Sequence, residues 1–238
     1  MTQSHVGSAI LRTVDDLRGP AGRLEALLNA GAPNAPYSAL VCHPHPLGGG
    51  TMHNKVVYQT MKAFQSLGLP VLRFNFRGTG LSEGGHDCGH GEQDDVRAAL
   101  DWLDREFSLP ILFAGFSFGS YVGLQVCCSD ARISGLVALG LPVHAEWRDY
   151  RYDFLGACAQ PKLFISGDRD PYGPQAAVEA AVARAPEPKQ LVWVADADHF
   201  FVNTAPSPAG KPAGSKLDEV RNAIQAWALE NFPPLNTK

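Results

Sequence analysis

A serine held between two glycines at the end of an apolar run constrains this chain more than any other feature. Residues 110–115 read as a buried strand, and the run ends at Gly115-Phe116-Ser117-Phe118-Gly119. A chain that leaves a strand and enters a helix within a few residues forces the central residue into strained dihedrals. Glycine two positions to either side leaves room for that turn, which holds the Ser117 hydroxyl clear of the backbone. Residues 120–126 can begin the helix, with Gly119 and Gly123 permitting close approach to the sheet. Ser117 is therefore a candidate nucleophile. A plain glycine turn is the bland alternative, and the strand before it and the helix after it argue against that.

The rest of the chain supplies a matching scaffold. After an all-strand start, apolar β-rich runs alternate with helical patterns, the signature of a mostly parallel sheet covered by helices on both faces. Strands are predicted near 6–13 and 22–30, as an antiparallel pair turning at Gly19-Pro20-Ala21-Gly22, and then at 37–43, 70–76, 110–115, 133–142, 161–166 and 189–195. That makes an eight-stranded α/β sheet. Helices are predicted at 54–67, with Val57, Met61 and Phe64 on one face, and at 92–107, with Val96, Leu100, Leu103 and Phe107. Two more follow, at 175–185 and from Ser215 onward, the last with Ser215 and Asp218 as a capping pair and Leu217, Val220, Ile224 and Trp227 buried. Residues 203–214, with three prolines and two glycines, read as an irregular surface loop near the edge that carries Ser117.

At 238 residues the chain is long enough to fold as a single domain over 1–238, with a core that needs neither disulfide nor metal. A formal charge of −4 gives no electrostatic footprint for nucleic acid or an anionic membrane. No apolar run is long enough to span a bilayer, and the first residues lack the basic-then-apolar pattern of a signal peptide. Five cysteines, with Cys127 and Cys128 adjacent, make an odd set that fits reduced thiols and a cytoplasmic location.

A serine at its own pKa is a poor nucleophile, so Ser117 needs a base, and that base needs an orienting carboxylate. In a sheet with this turn the order is serine, then acid after the seventh strand, then histidine after the eighth. Gly167-Asp168-Arg169-Asp170 follows the seventh predicted strand. Asp170 is preferred because it lies beyond the turn, whereas Asp168 is placed to bond the turn backbone. His199 follows the eighth strand, and no other histidine lies C-terminal to Asp170. Two backbone N–H groups should face the developing oxyanion. Phe118 offers one, and Leu47 is the expected second because Pro44 and Pro46 have none to donate. Phe116, Trp147, Tyr172 and Phe200 are candidate apolar walls for substrate, although aromatics at such positions also serve as ordinary core.

Two competing motifs are weaker. His43, His45 and His53, with His86 and His90 elsewhere, could ligate a metal, but no acidic or cysteine cluster completes a set, and loop-bracing histidines are the favoured reading. No metal or other cofactor is therefore expected. The turn from Arg77 to Gly84 fails the dinucleotide pattern, because Glu83 stands where its third glycine is needed.

With these residues in hand, the chain resembles the α/β-hydrolase superfamily along almost its whole length. The segments His43-Pro44-His45-Pro46-Leu47-Gly48-Gly49, Phe74-Asn75-Phe76-Arg77-Gly78-Thr79-Gly80 and Gly89-His90-Gly91-Glu92 are similar to small, lid-poor bacterial serine hydrolases related to dienelactone hydrolases. The resemblance implies the α/β-hydrolase fold and cleavage of a small acyl ester by Ser117, His199 and Asp170. Dienelactone hydrolases themselves carry cysteine at the elbow, so Ser117 argues against that reaction. A stretch of 143–160 between the sixth and seventh strands is too short for a cap domain, which implies an open cleft and short acyl groups. A thioesterase or small peptidase would use the same three groups. A silent binding module on this fold would need none of them.

Overall fold

Eight strands form one sheet, and the two-residue alternation of their side chains decides how it is covered. The structure is a computed structural model describing residues 11–145, 148–205 and 214–235. Its main strands are β1 (Leu11–Val14), β2 (Ala26–Asn29), β3 (Ser38–Cys42), β4 (Val71–Phe74), β5 (Ile111–Phe116), β6 (Ile133–Leu139), β7 (Lys162–Gly167) and β8 (Lys189–Val194). Their spatial order is β1-β2-β4-β3-β5-β6-β7-β8. β2 runs antiparallel to both β1 and β4, and the remaining neighbours are parallel.

β3, β4 and β5 are buried from end to end. Along β5, Ile111 and Phe113 enter one core while Leu112, Ala114 and Phe116 enter the other. Helices α1 (Lys55–Ser66) and α5 (Leu217–Asn231) cover the second face. Helices α2 (Gly91–Phe107), α3 (Phe118–Cys127) and α4 (Gln175–Ala183) cover the first. The helical stripes dock as their spacing requires. α1 buries Val57, Met61 and Phe64, α2 buries Val96, Leu100 and Leu103, and α5 buries Leu217, Val220, Ile224 and Trp227. At roughly 1.5–3 kcal/mol for each large apolar side chain taken from water, these stripes hold the layers together.

Several boundaries differ from expectation for local reasons. The opening antiparallel pair is present and its chain reverses at Gly19-Pro20-Ala21-Gly22, but a separate two-residue ribbon, Arg18–Gly19 against Gly22–Arg23, forms at the tip of the connection between β1 and β2. Residues 6–10 of the first predicted strand lie outside the described residues. The last helix begins at Leu217, because the Ser215 hydroxyl accepts the Leu217 N–H at 3.2 Å from outside the helix and Asp218 pairs with Arg221 at 2.9 Å. The base of the loop at 203–214 is pinned by bridges from Ala197 to Asn203 and from Val202 to Ser215; residues 206–213 lie outside the described set. The expectation of five reduced thiols also fails. Cys128, just past α3, and Cys158, 30 residues on, form a disulfide with Cα atoms 4.6 Å apart, while Cys42, Cys88 and Cys127 take no part in a disulfide.

Two features of the topology open the site. The chain passes from β3 out to β4 and back across to β5, so the loops leaving β3 and β5 diverge and leave a crevice at the carboxyl edge of the sheet. Between β6 and β7 it makes only a two-residue ribbon, His144–Ala145 against Arg148–Asp149, and a short 3-10 turn, Asp153–Ala157. Among the described residues that is no cap domain; the segment contributes only Pro142 and Tyr150 to the crevice wall.

Candidate active site

The turn after β5 is built as its glycines require. Ser117 takes φ 54° and ψ −120°, a conformation that costs a non-glycine residue on the order of 1–3 kcal/mol. A side chain at Gly115 would strike the Gly119 carbonyl at 2.5 Å, and one at Gly119 would strike the backbone of His43. Both glycines are thus demanded by contact rather than by φ. The strain is held by Ser117 N–H donating to the Leu139 carbonyl at 2.8 Å and by α3 starting immediately at Phe118.

Ser117, His199 and Asp170 come together from three strand ends. His199 Nε2 lies 2.9 Å from Ser117 Oγ, and His199 Nδ1 lies 2.7 Å from Asp170 Oδ2. A carboxylate only accepts, so Nδ1 carries the ring proton and Nε2 is left to accept from the serine hydroxyl. The other carboxylate oxygen, Oδ1, accepts the Tyr172 N–H at 2.8 Å, which fixes the plane of Asp170. Asp168 does not take part, and instead of bonding the turn backbone its carboxylate lies 3.9 Å from Arg169 Nε. All three grouped side chains belong to residues less than a tenth exposed.

The loop that carries His199 is held equally firmly. The Asp198 carboxylate accepts the N–H groups of Phe200 and Val202, both at 2.9 Å, and Phe201 is fully buried. The His199 ring sits between Phe116, at 5.0 Å between centroids, and Tyr172, at 4.8 Å. Gly140 completes the seat: a Cβ there would lie 2.8 Å from Phe116 and 3.3 Å from the His199 ring.

A cavity of about 150 Å³ opens over Ser117 and His199. Tyr172 and Phe200, both expected as walls, line it, and so do His45, Asn54, Pro142 and Tyr150. Trp147 lies outside the described residues. Two expectations need correction. Phe116 is fully buried beneath His199 and braces the ring instead of facing the cavity. Leu47 is 76% exposed, does not line the cavity, and donates its N–H to His45 Nδ1 at 3.2 Å within the 3-10 turn Pro46–Gly48. Asn54 enters the site because the residue that caps α1, accepting the Val56 N–H at 2.9 Å, is also the one nearest the crevice. Its capping signal is visible in sequence, but its place beside Ser117 is not.

His43 is a brace rather than a ligand. Its Nδ1–H donates to the Pro44 carbonyl at 2.6 Å and its Nε2 accepts the Phe76 N–H at 3.0 Å, so both nitrogens are engaged. Burial pushes its pKa down to about 4, which keeps the ring neutral. Among the described residues no group of three or more His, Cys, Asp or Glu side chains is placed to hold a metal ion. No described helix is long and apolar enough to cross a membrane. The glycine-rich turn after β4 is anchored by Arg77, whose guanidinium and backbone N–H both bond the buried Asp95 carboxylate at 2.8–3.1 Å.

An uncapped, mostly parallel sheet with an elbow serine, a histidine and an acid at three strand ends defines an α/β hydrolase. The chain belongs to that family: the profile described as an alpha/beta hydrolase domain matches residues 38–229. It is 39% identical over 191 residues to an uncharacterized protein of Rickettsia prowazekii, covering 77% of this chain and 79% of that one. Among solved structures it is similar to an alpha-beta serine hydrolase homologue from Coxiella burnetii, at 34% identity and a TM-score of 0.75, covering 94% of this chain and 99% of that one. It is also similar to a serine hydrolase without lid from Xanthomonas campestris, at 32% identity and a TM-score of 0.76, covering 97% and 98%.

Proposed function

We propose that the protein is a carboxylesterase that cleaves short-chain acyl esters through an acyl-enzyme, with Ser117 as nucleophile, His199 as general base and acid, and Asp170 as the orienting carboxylate. The observation that carries this reading is the unbroken chain Ser117 Oγ, His199 Nε2, His199 Nδ1, Asp170 Oδ2, with links of 2.9 and 2.7 Å, at the floor of a cavity. Ser117 Oγ attacks the ester carbonyl as its proton passes to His199 Nε2, and Asp170 stabilises the imidazolium. The Phe118 N–H, at the start of α3, faces the oxyanion. The main-chain N–H of His45, in the segment that lines the cavity, takes the second place that Leu47 does not fill. His199 then gives its proton to the leaving alkoxide, and water repeats the sequence on the acyl-enzyme to release the acid.

The cavity supports the preference for short acyl groups. At about 150 Å³ it falls below the ~300–1,000 Å³ of sites that enclose drug-sized ligands, and Tyr150 and Tyr172 bound it. A series of p-nitrophenyl esters from acetate to decanoate tests this directly. Specific activity should fall steeply beyond about four carbons, and a preference for long chains would overturn the assignment of acyl length. Comparing ester, thioester and amide substrates on one preparation tests the reaction class, with the ester expected to be fastest.

A further inference from the structure

The small cavity over Ser117 adjoins a larger groove of about 530 Å³, and Asn54 and Phe200 line both. The groove lies on the histidine side. Phe200 follows His199 directly and packs its ring at 5.3 Å from the imidazole. Because His199 Nε2 must hand its proton to the departing oxygen, the leaving-group half of a substrate sits on this side of the scissile bond.

The walls say what kind of leaving group fits. Phe200, Val202 and Leu217 give the groove apolar surface, and Phe200 and Val202 are both more than a third exposed. Among the described residues its ionisable lining side chains are His53 and Lys55, neither of which can carry negative charge. Among the described residues no carboxylate forms an ion pair with Lys55. A groove whose ionisable groups are all basic stands out in a chain of net charge −4. An uncharged alcohol would leave the Lys55 ammonium unused, and a cationic one would be repelled by it. An alcohol with an apolar body and an anionic end satisfies both kinds of wall.

We infer that this groove binds the leaving-group half of the ester, and that this half is an apolar or aromatic alcohol bearing a carboxylate, with Lys55 as the specificity-determining residue and His53 beside it. The inference rests on Ser117 being the nucleophile. It splits the site into a small neutral acyl pocket under Tyr150 and Tyr172 and a larger basic groove beyond Phe200.

The test uses two acetate esters measured on the same preparations, (4-acetoxyphenyl)acetate and its carboxamide. The methylene insulates the ring, so the two phenolates leave with similar ease and the ratio of kcat/KM reads recognition of charge. The wild-type protein should prefer the carboxylate by about threefold or more at low salt, with the ratio moving toward one at ~1 M salt, as expected for a partly exposed pair. Lys55→Gln should bring the ratio near one and Lys55→Glu should invert it. A ratio that is unchanged in Lys55→Glu, in protein whose turnover of the carboxamide still depends on Ser117, overturns the inference and leaves the esterase reading standing. Turnover of both esters that survives Ser117→Ala overturns the two together.

Discussion

His43 Nε2 accepts the backbone N–H of Phe76 across 33 residues of chain, and together with the Met52 N–H donated to Asn75 Oδ1 this bond ties the loop after β3 to the loop after β4. The His43 bond needs a neutral ring, and burial supplies one by holding the His43 pKa down to about 4 against about 6.5 for a free histidine. Below about pH 6.5 the unfolded chain takes up a proton that the folded chain refuses, so stability falls as pH drops from about 6.5 toward 4. At about 1.4 kcal/mol per pH unit of separation the loss amounts to roughly 3 kcal/mol. Urea unfolding at pH 7.5, 5.5 and 4.5 should show it. His43→Gln should start less stable at pH 7.5 and lose this part of the pH dependence.

Gly140 is the seat of the His199 ring, and its φ of 51° already disfavours any side chain. Gly140→Ala puts a methyl 2.8 Å from Phe116 and pushes the imidazole off Ser117. A displacement of about 1 Å is enough to cost on the order of 10²-fold in rate. The expected result is a kcat down 10- to 100-fold with KM little changed. Near wild-type kcat would show that the ring is not held from below.

Asp170 orients His199 through the 2.7 Å bond to Nδ1. Asp170→Asn offers an N–H where an acceptor is needed, which turns the imidazole to the wrong tautomer and should lower kcat by about 10⁴ at neutral pH. Asp168→Asn should leave kcat within about twofold, because Asp168 does not touch the histidine. The pair of variants, assayed together, separates the two carboxylates of the turn.

The Cys128–Cys158 bridge ties the end of α3 to the turn before β7. Denatured, unreduced protein should titrate three thiols, and five after reduction. Closing a loop of 30 residues stabilises by roughly 3–4 kcal/mol on a chain-entropy account. Cys128→Ser with Cys158→Ser should therefore lower Tm while retaining turnover. A count of five thiols without reductant would contradict the bridge.

What was legible in the sequence was whatever depends on order and period. The stripe of Val57, Met61 and Phe64 identified α1, and the order Ser117, Asp170, His199 along the strands located the grouped side chains without reference to distance. Phe116, expected as a substrate wall, is misplaced by that expectation although its parity with Leu112 and Ala114 assigns it to the face under α1 and α5. The place of Leu47 was not legible, because its N–H is taken by a rotamer of His45 that spacing does not reveal. Cys158 was not either: nothing in a separation of 30 residues says that the turn before β7 returns to the end of α3. Period describes faces, and contacts between loops lie outside it.

The central claim is that Ser117 is the nucleophile of an acyl-enzyme, and intact-mass spectrometry of the protein mixed with p-nitrophenyl acetate under acid quench tests it most directly. The account predicts one acetyl adduct on Ser117 with a stoichiometric burst of p-nitrophenolate, both abolished in Ser117→Ala, whose turnover should fall by on the order of 10⁶. Wild-type turnover in Ser117→Ala, or an adduct at another residue, would contradict it.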